Sequence, residues 1–150
     1  MFTLFGRSAL LLATMLVFAT PVQAQLDPSV LSTLNYDQLE WLEDKDNPGS
    51  WYTVLSGDPS TAGPFVILNK VLKGNFTRPH FHARARKIYV VDGTWWVGSG
   101  KEQNIAGSVA KPEGSYHDQP ADQVHWDGAK DEDVLLLIAG EGPATDTFVN

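Results

Sequence analysis

Asp92-Gly93 stands between two β-rich runs, Lys87 to Val91 and Thr94 to Val97. Both turn positions tolerate positive φ, so the pair is a strong two-residue hairpin signal that joins the runs as antiparallel neighbours. Similar punctuation recurs along the chain. Trp51 to Leu55 runs into Ser56-Gly57-Asp58-Pro59, Phe65 to Val71 into Lys73-Gly74-Asn75, and Asp133 to Ala139 into Gly140-Glu141-Gly142-Pro143. Many short strands at this spacing predict an all-β sandwich or barrel. One segment predicts a helix instead. Asp27-Pro28 reads as an N-cap with Pro at the first helical position, Leu31, Leu34, Leu39 and Leu42 roughly follow helical spacing, and Asn47-Pro48-Gly49 stops it. With 43% hydrophobic and 19% charged residues, no repeat and no linker, the 150 residues make one domain and neither a disordered tail nor a coiled coil.

Met1 to Ala24 reads as a secretory leader. Arg7 supplies the positive end, Ala9 to Ala19 is an eleven-residue apolar run, and Pro21-Val22-Gln23-Ala24 resembles a cleavage site, placing the cut near Ala24. The run falls short of the about 20 residues that span a hydrocarbon core, so no stable membrane anchor is expected. The expected organisation is therefore a signal peptide over 1–24, an N-terminal extension over 25–50 and one domain over 51–150, periplasmic or secreted. The chain holds 11 basic and 18 acidic residues; cleavage removes one Arg and no acid, so the net charge moves from −7 to −8. Such a chain has no electrostatic footprint for nucleic acid or an anionic membrane surface. It has no cysteine, which excludes disulfides, thiolate nucleophiles, Cys-ligated zinc and iron–sulfur clusters. Stability after export must then come from the core or from a metal.

All four histidines lie between positions 80 and 125: His80, His82, His117 and His125. In His80-Phe81-His82 the period-two spacing sends both imidazoles to one face of a strand. Two imidazoles on one face suit a borderline divalent cation, and a third from another strand completes a facial set. Reading outward gives Gly74-x5-His80-x-His82-x3-Arg86-x6-Gly93, and further on Gly114-x5-Pro120-x-Asp122-x2-His125, with twenty residues between Gly93 and Gly114. The first resembles the motif G-x5-H-x-H-x3/4-E-x6-G of the cupin superfamily in every spacing. The second resembles G-x5-P-x-G-x2-H with Asp for the second glycine. With its flanking turns, the stretch from Trp51 to Pro143 is similar to the cupin half of zinc-binding anti-sigma factors.

The resemblance implies a jelly-roll-like β-barrel (RmlC-like, a double-stranded β-helix) preceded by the short helical segment. It further implies that His80, His82 and His125 converge on one divalent ion (Zn, Fe(II) or Mn), and that such barrels are often used as homodimers. The family's fourth ligand, a glutamate, is replaced by Arg86. A guanidinium has no lone pair to donate, so the set is at best three histidines unless a water, another acid or His117 completes it; three neutral ligands leave an open position, the pattern of catalytic sites. On strand alternation Arg86 shares a face with Ile88 and Val90. There it would anchor an anionic substrate, with an acidic or carbonyl neighbour to satisfy it; a turn after His82 that carried it to solvent would make it a surface charge. His117 offers an alternative register, Gly107-x4-Pro112-x-Gly114-x2-His117, one residue short of the motif. Trp95 and Trp96 must point to opposite faces, Tyr89 reads as packing, and Asp131-Glu132-Asp133 as a solvated turn. No Ser/His/Asp set or phosphate loop is present. Three functions follow: a metal enzyme of dioxygenase or isomerase type acting on a small anionic molecule, a non-catalytic metal- or small-molecule-sensing module, and a dimerisation scaffold.

Overall fold

Side-chain alternation along the strands decides which face of each sheet is dry. The structure, a computed structural model, describes residue 27 and residues 29–149; the expected leader lies outside the described residues. The chain divides between Leu34 and Asn35, and the sheets belong to the second unit. In chain order the strands are β1 (Leu42–Glu43), β2 (Ser50–Ser56), β3 (Gly63–Val71), β4 (His80–Phe81), β5 (Arg86–Asp92), β6 (Thr94–Ser99), β7 (Val109–Pro112), β8 (Tyr116–Gln119), β9 (His125–Ala129), β10 (Val134–Gly142) and β11 (Thr147–Phe148). They form a six-stranded sheet, β1-β2-β3-β10-β5-β8, and a five-stranded sheet, β11-β4-β9-β6-β7. This is an all-β two-sheet fold, as the turn chemistry predicts.

The core sits between the two sheets. Val71, Ile88, Val90, Val134, Leu136 and Ile138 come from the larger sheet and Trp95 and Ala129 from the smaller. On β5, Ile88 and Val90 are buried while Lys87, Tyr89 and Val91 are exposed, so Arg86 starts the strand on the inner face. Asp92-Gly93 turns the chain from β5 into β6, but the expected hairpin does not form: β5 pairs with β10 and β8 in the larger sheet and β6 with β9 and β7 in the smaller, so the turn is a corner between the sheets. Gly93 has φ +76°, and a Cβ there would lie 2.2 Å from the Asp133 carbonyl oxygen, which leaves room for glycine alone. Trp95 is 3% exposed in the core, whereas Trp96 is half-buried on the opposite face with Lys130 Nζ 4.2 Å over its ring.

The helix expected around Leu31 to Leu42 does not form. The helical elements among the described residues are two 3-10 turns, Tyr36–Gln38 and Ile105–Gly107. A helix this short is held by burying one face against a partner. Here Leu42 is taken into β1 opposite Tyr52 and stays 54% exposed, and Tyr36 packs on Trp41 with ring centroids 5.7 Å apart. Leu31 and Leu34, like Leu42, stay exposed, so the leucine spacing buries no helical face.

β9 carries a close backbone approach that supports the site. Phe76 bridges to Gly128, and a Cβ on Gly128 would meet the Asn75 carbonyl oxygen at 2.2 Å and Phe76 Cα at 2.7 Å. Backbone cannot yield as a flexible side chain does. Gly128→Ala is therefore expected to lower the unfolding free energy by about 2–3 kcal/mol, the upper part of the range for overpacking, measurable by urea titration. A change under about 0.5 kcal/mol, the size of an ordinary surface substitution, would show that the segment is loose.

Candidate metal centre

β4 and β9 pair with His80 directly opposite His125, and His82 follows β4 by one alternation. The register brings the three imidazoles together between the sheets. Their ring centroids are 4.4 Å (His80–His125), 4.8 Å (His80–His82) and 5.0 Å (His82–His125) apart, and the residues are 3%, 4% and 6% exposed.

Each ring is oriented by a backbone carbonyl. Nδ1 of His80 donates to Arg78 O (2.7 Å), that of His82 to Thr145 O (2.9 Å) and to Asp146 Oδ1 (2.8 Å), and that of His125 to Gln123 O (2.9 Å). A carbonyl oxygen only accepts, so in all three rings Nδ1 carries the proton and Nε2 the lone pair. This arrangement of outer partners is the one that fixes metal-bound histidines. One ring nitrogen from each histidine lies within 4.8 Å of the others, and metal–nitrogen bonds of about 2.0–2.1 Å in a tetrahedral set would draw them in to about 3.3 Å, a closure of up to about 1.5 Å. His82 Nε2 is buried with no hydrogen-bond partner, a cost that a cation among the three lone pairs would remove. The donor set fits a divalent ion such as Zn, Fe(II) or Mn.

Arg86 points inward. It is half-buried, pairs in register with Gln119 on β8, and donates from Nε (3.0 Å) and Nη2 (2.8 Å) to Gln119 Oε1. Its acceptor is thus an amide carbonyl, with the carboxylates of Asp146 and Asp127 further off; burial lowers its pKa and those two charges oppose the shift. The solvent-facing alternative for Arg86 is excluded. Gln119 was not singled out from the sequence, although it directly precedes the motif proline, Pro120. The other amide end, Nε2, lies 2.8 Å from His125 Nε2.

His117 is not in the cluster. It sits opposite Ile88 on β8, bonds Ser115 Oγ at 2.8 Å and packs on Trp95 at 5.5 Å. Asp122, at the position where the motif has glycine, has φ +59° and donates its N–H to His82 O at 2.9 Å. Asp is among the few side chains that tolerate that conformation, so the motif turn survives the exchange. Two cavities flank the histidines. One of about 350 Å³ is lined by His80, His82, Arg86 and four aspartates, and one of about 640 Å³ by His117, Gln119, His125 and Lys111; Trp95 lines both.

The ChrR cupin-like domain family matches residues 31–145. The chain belongs to this family of cupins. No curated protein sequence matches it. Solved structures share the fold at low identity. The polyketide cyclase RemF from Streptomyces resistomycificus superposes with a TM-score of 0.64 at 14% identity, over 80% of this chain and 87% of that one. A cupin-2 domain protein from Rhodospirillum rubrum gives 0.62 at 14%, over 79% and 80%. KdgF from Halomonas sp. gives 0.56 at 22%, over 73% and 94%.

The electrostatics of this cupin favour the neutral form of His125. Burial pushes His125 down to about 4, against the opposing charge of Asp127, whose Oδ2 is 3.5 Å from Nε2. Asp146 is buried, which favours its neutral form, but the His82 hydrogen bond and the charges of His82, Arg86 and His80 outweigh this and hold it at about 2. Both shifts make the unfolded chain the better proton binder in acid. From the ordinary His value of 6.5 down to about 4, the unfolded state takes up a proton at His125 that the folded state refuses, and between 3.8 and about 2 Asp146 continues the loss. The metal-free protein is therefore expected to lose unfolding free energy steadily as pH falls from about 6.5, by urea titration at several pH values. Stability that stays level down to about pH 4 would show that His125 charges freely in the fold.

Proposed function

We propose that this cupin holds one divalent metal ion on Nε2 of His80, His82 and His125 and acts on a small anionic molecule bound beside it. The observation that carries the reading is the common orientation of the three rings, each Nδ1 committed to a carbonyl and the lone pairs turned inward, with His82 Nε2 buried and unpartnered. A divalent ion held there supplies Lewis acidity, or oxygen chemistry in the case of Fe(II), at the positions that three ligands leave open. The chain's own residues supply the rest. The burial of the three histidines limits the access of water to the lone pairs, and the inward Arg86 gives the neighbouring space a fixed positive charge suited to a carboxylate or enolate. We further propose that Met1 to Ala24 exports the chain, so that it works in the periplasm or outside the cell.

The test is elemental analysis of the untagged protein after refilling with Zn²⁺, Fe²⁺ and Mn²⁺. Close to one metal per chain is expected, and an occupancy well below that for all three ions would mean a cupin that has kept the fold without the metal. Family membership favours a second reading, since ChrR is an anti-sigma factor: a module that senses a metal or small molecule without turnover. Oxygen consumption by the Fe²⁺-loaded protein with 1,3-dicarbonyl compounds separates the two, because a sensing module binds them without consuming oxygen.

A further inference from the structure

The Gln119 carboxamide touches both groups that the site would offer a ligand. Its oxygen takes the Nε and Nη2 fork of Arg86, and its nitrogen stands 2.8 Å from His125 Nε2. The sense of both contacts is set by the partners. A guanidinium has donors only, so the atom against it must be the carbonyl oxygen. The His125 Nδ1 proton is committed to Gln123 O, so Nε2 carries a lone pair and the amide NH₂ donates to it. That lone pair cannot serve the amide and a cation at once. Rotating the carboxamide in place is no remedy, because its NH₂ would then face the donors of Arg86.

We propose that Gln119 is an internal stand-in for a carboxylate ligand, capping Arg86 and His125 in the free protein and displaced from both when a metal ion and a small carboxylate bind. The inference rests on the metal-centre reading above and names the ligand class for it. A carboxylate has the size and planarity of the carboxamide but an acceptor at each end, one for the Arg86 fork and one for the cation. Once Gln119 leaves His125, the half-buried guanidinium needs a new acceptor, so cation and anion binding favour each other. The carboxamide stands between the two cavities: Arg86 lines the smaller one with His80, His82 and four aspartates, and Gln119 and His125 line the larger one with Lys111 and Trp126 as well as Glu102 and Asp118.

The experiment uses cobalt(II) as the metal probe, because its visible spectrum reports ligand exchange, and sodium acetate at constant ionic strength as the anion probe. Cobalt affinity is read by chelator competition and acetate affinity from the spectrum, in wild type, Gln119→Ala, Gln119→Leu and Arg86→Met. Gln119→Ala and Gln119→Leu are expected to bind cobalt and acetate each about tenfold more tightly than wild type, the size of one charge-assisted hydrogen bond no longer in competition. Arg86→Met is expected to keep cobalt and lose acetate affinity by about tenfold or more. Should one Gln119 variant fail to fold, the other decides. A wild-type protein that takes up cobalt, with Gln119 variants that bind it no better or more weakly, overturns the stand-in while leaving the metal centre standing. A wild-type protein that takes up no cobalt overturns the metal centre, and the stand-in falls with it.

Discussion

His125→Ala is expected to cut zinc affinity by about a hundredfold to a thousandfold, since each of several ligands carries a share of roughly 3–4 kcal/mol in the about 10–16 kcal/mol that zinc sites supply. His117→Ala is expected to leave it within about threefold, because His117 bonds Ser115 and packs on Trp95 away from the three rings. The consequence extends to stability. Zinc binds the folded chain and finds no preformed site in the unfolded one, so at about a hundred times its dissociation constant it adds about 2.7 kcal/mol and raises the melting temperature of wild type and His117→Ala. For His125→Ala the same zinc concentration should leave the melting curve almost where it was. The metal-free melting temperature of each variant must be recorded beside it, because removing a buried imidazole also leaves a void. If His117→Ala lost the metal and His125→Ala kept it, the alternative motif register would be the right one.

Arg86→Glu has the second large effect, and its two parts have opposite signs. Arg86 stands on the inner face of β5, at the position of the family's glutamate ligand, and its neighbours include the carboxylates of Asp127 and Asp146. In the metal-free protein a Glu there loses the Gln119 carbonyl as partner, meets like charge, and removes one of the charges that keep Asp146 ionised. The metal-free variant is therefore expected to be less stable than wild type by about 2–4 kcal/mol, as for other uncompensated buried charges. With zinc present the new carboxylate supplies a fourth donor, and zinc affinity should rise by about tenfold or more. Acetate affinity should fall, since its anchor has become an anion. Differential scanning calorimetry with and without zinc, together with acetate titration, reads all three effects. Unchanged affinity for both ligands would leave Arg86 without a functional role.

Much of the site was legible because strand alternation is a local rule. His80-x-His82 places two rings on one face, Arg86, Ile88 and Val90 share an inner face, and Trp95 and Trp96 part company, all from period two. The motif spacings name His125 as the third ring. Asp122 shows the limit of reading letters alone: the motif asks for a left-handed backbone at that position, and the Asp supplies it at φ +59°.

The helix expectation failed for the complementary reason. Leu31, Leu34, Leu39 and Leu42 have helical spacing, but spacing is only an offer of an apolar face; acceptance depends on what lies opposite, which the segment's own residues do not encode. Gln119 was missed on the same ground. Nothing in Tyr116-His117-Asp118-Gln119 distinguishes that glutamine from a surface residue, and its meaning arises from β5 pairing with β8 across 33 residues and from His125 facing it on the other sheet.

The sequence by itself determined most of the strands and which three histidines cluster, because those depend on backbone periodicity and on residue chemistry and spacing within a few positions. Only the tertiary structure decided how the rings are oriented, which acceptor satisfies Arg86, and that an amide stands between guanidinium and imidazole. Those are hydrogen bonds between strands distant in the chain, and a donor buried between two sheets takes whichever acceptor the fold brings within about 3 Å.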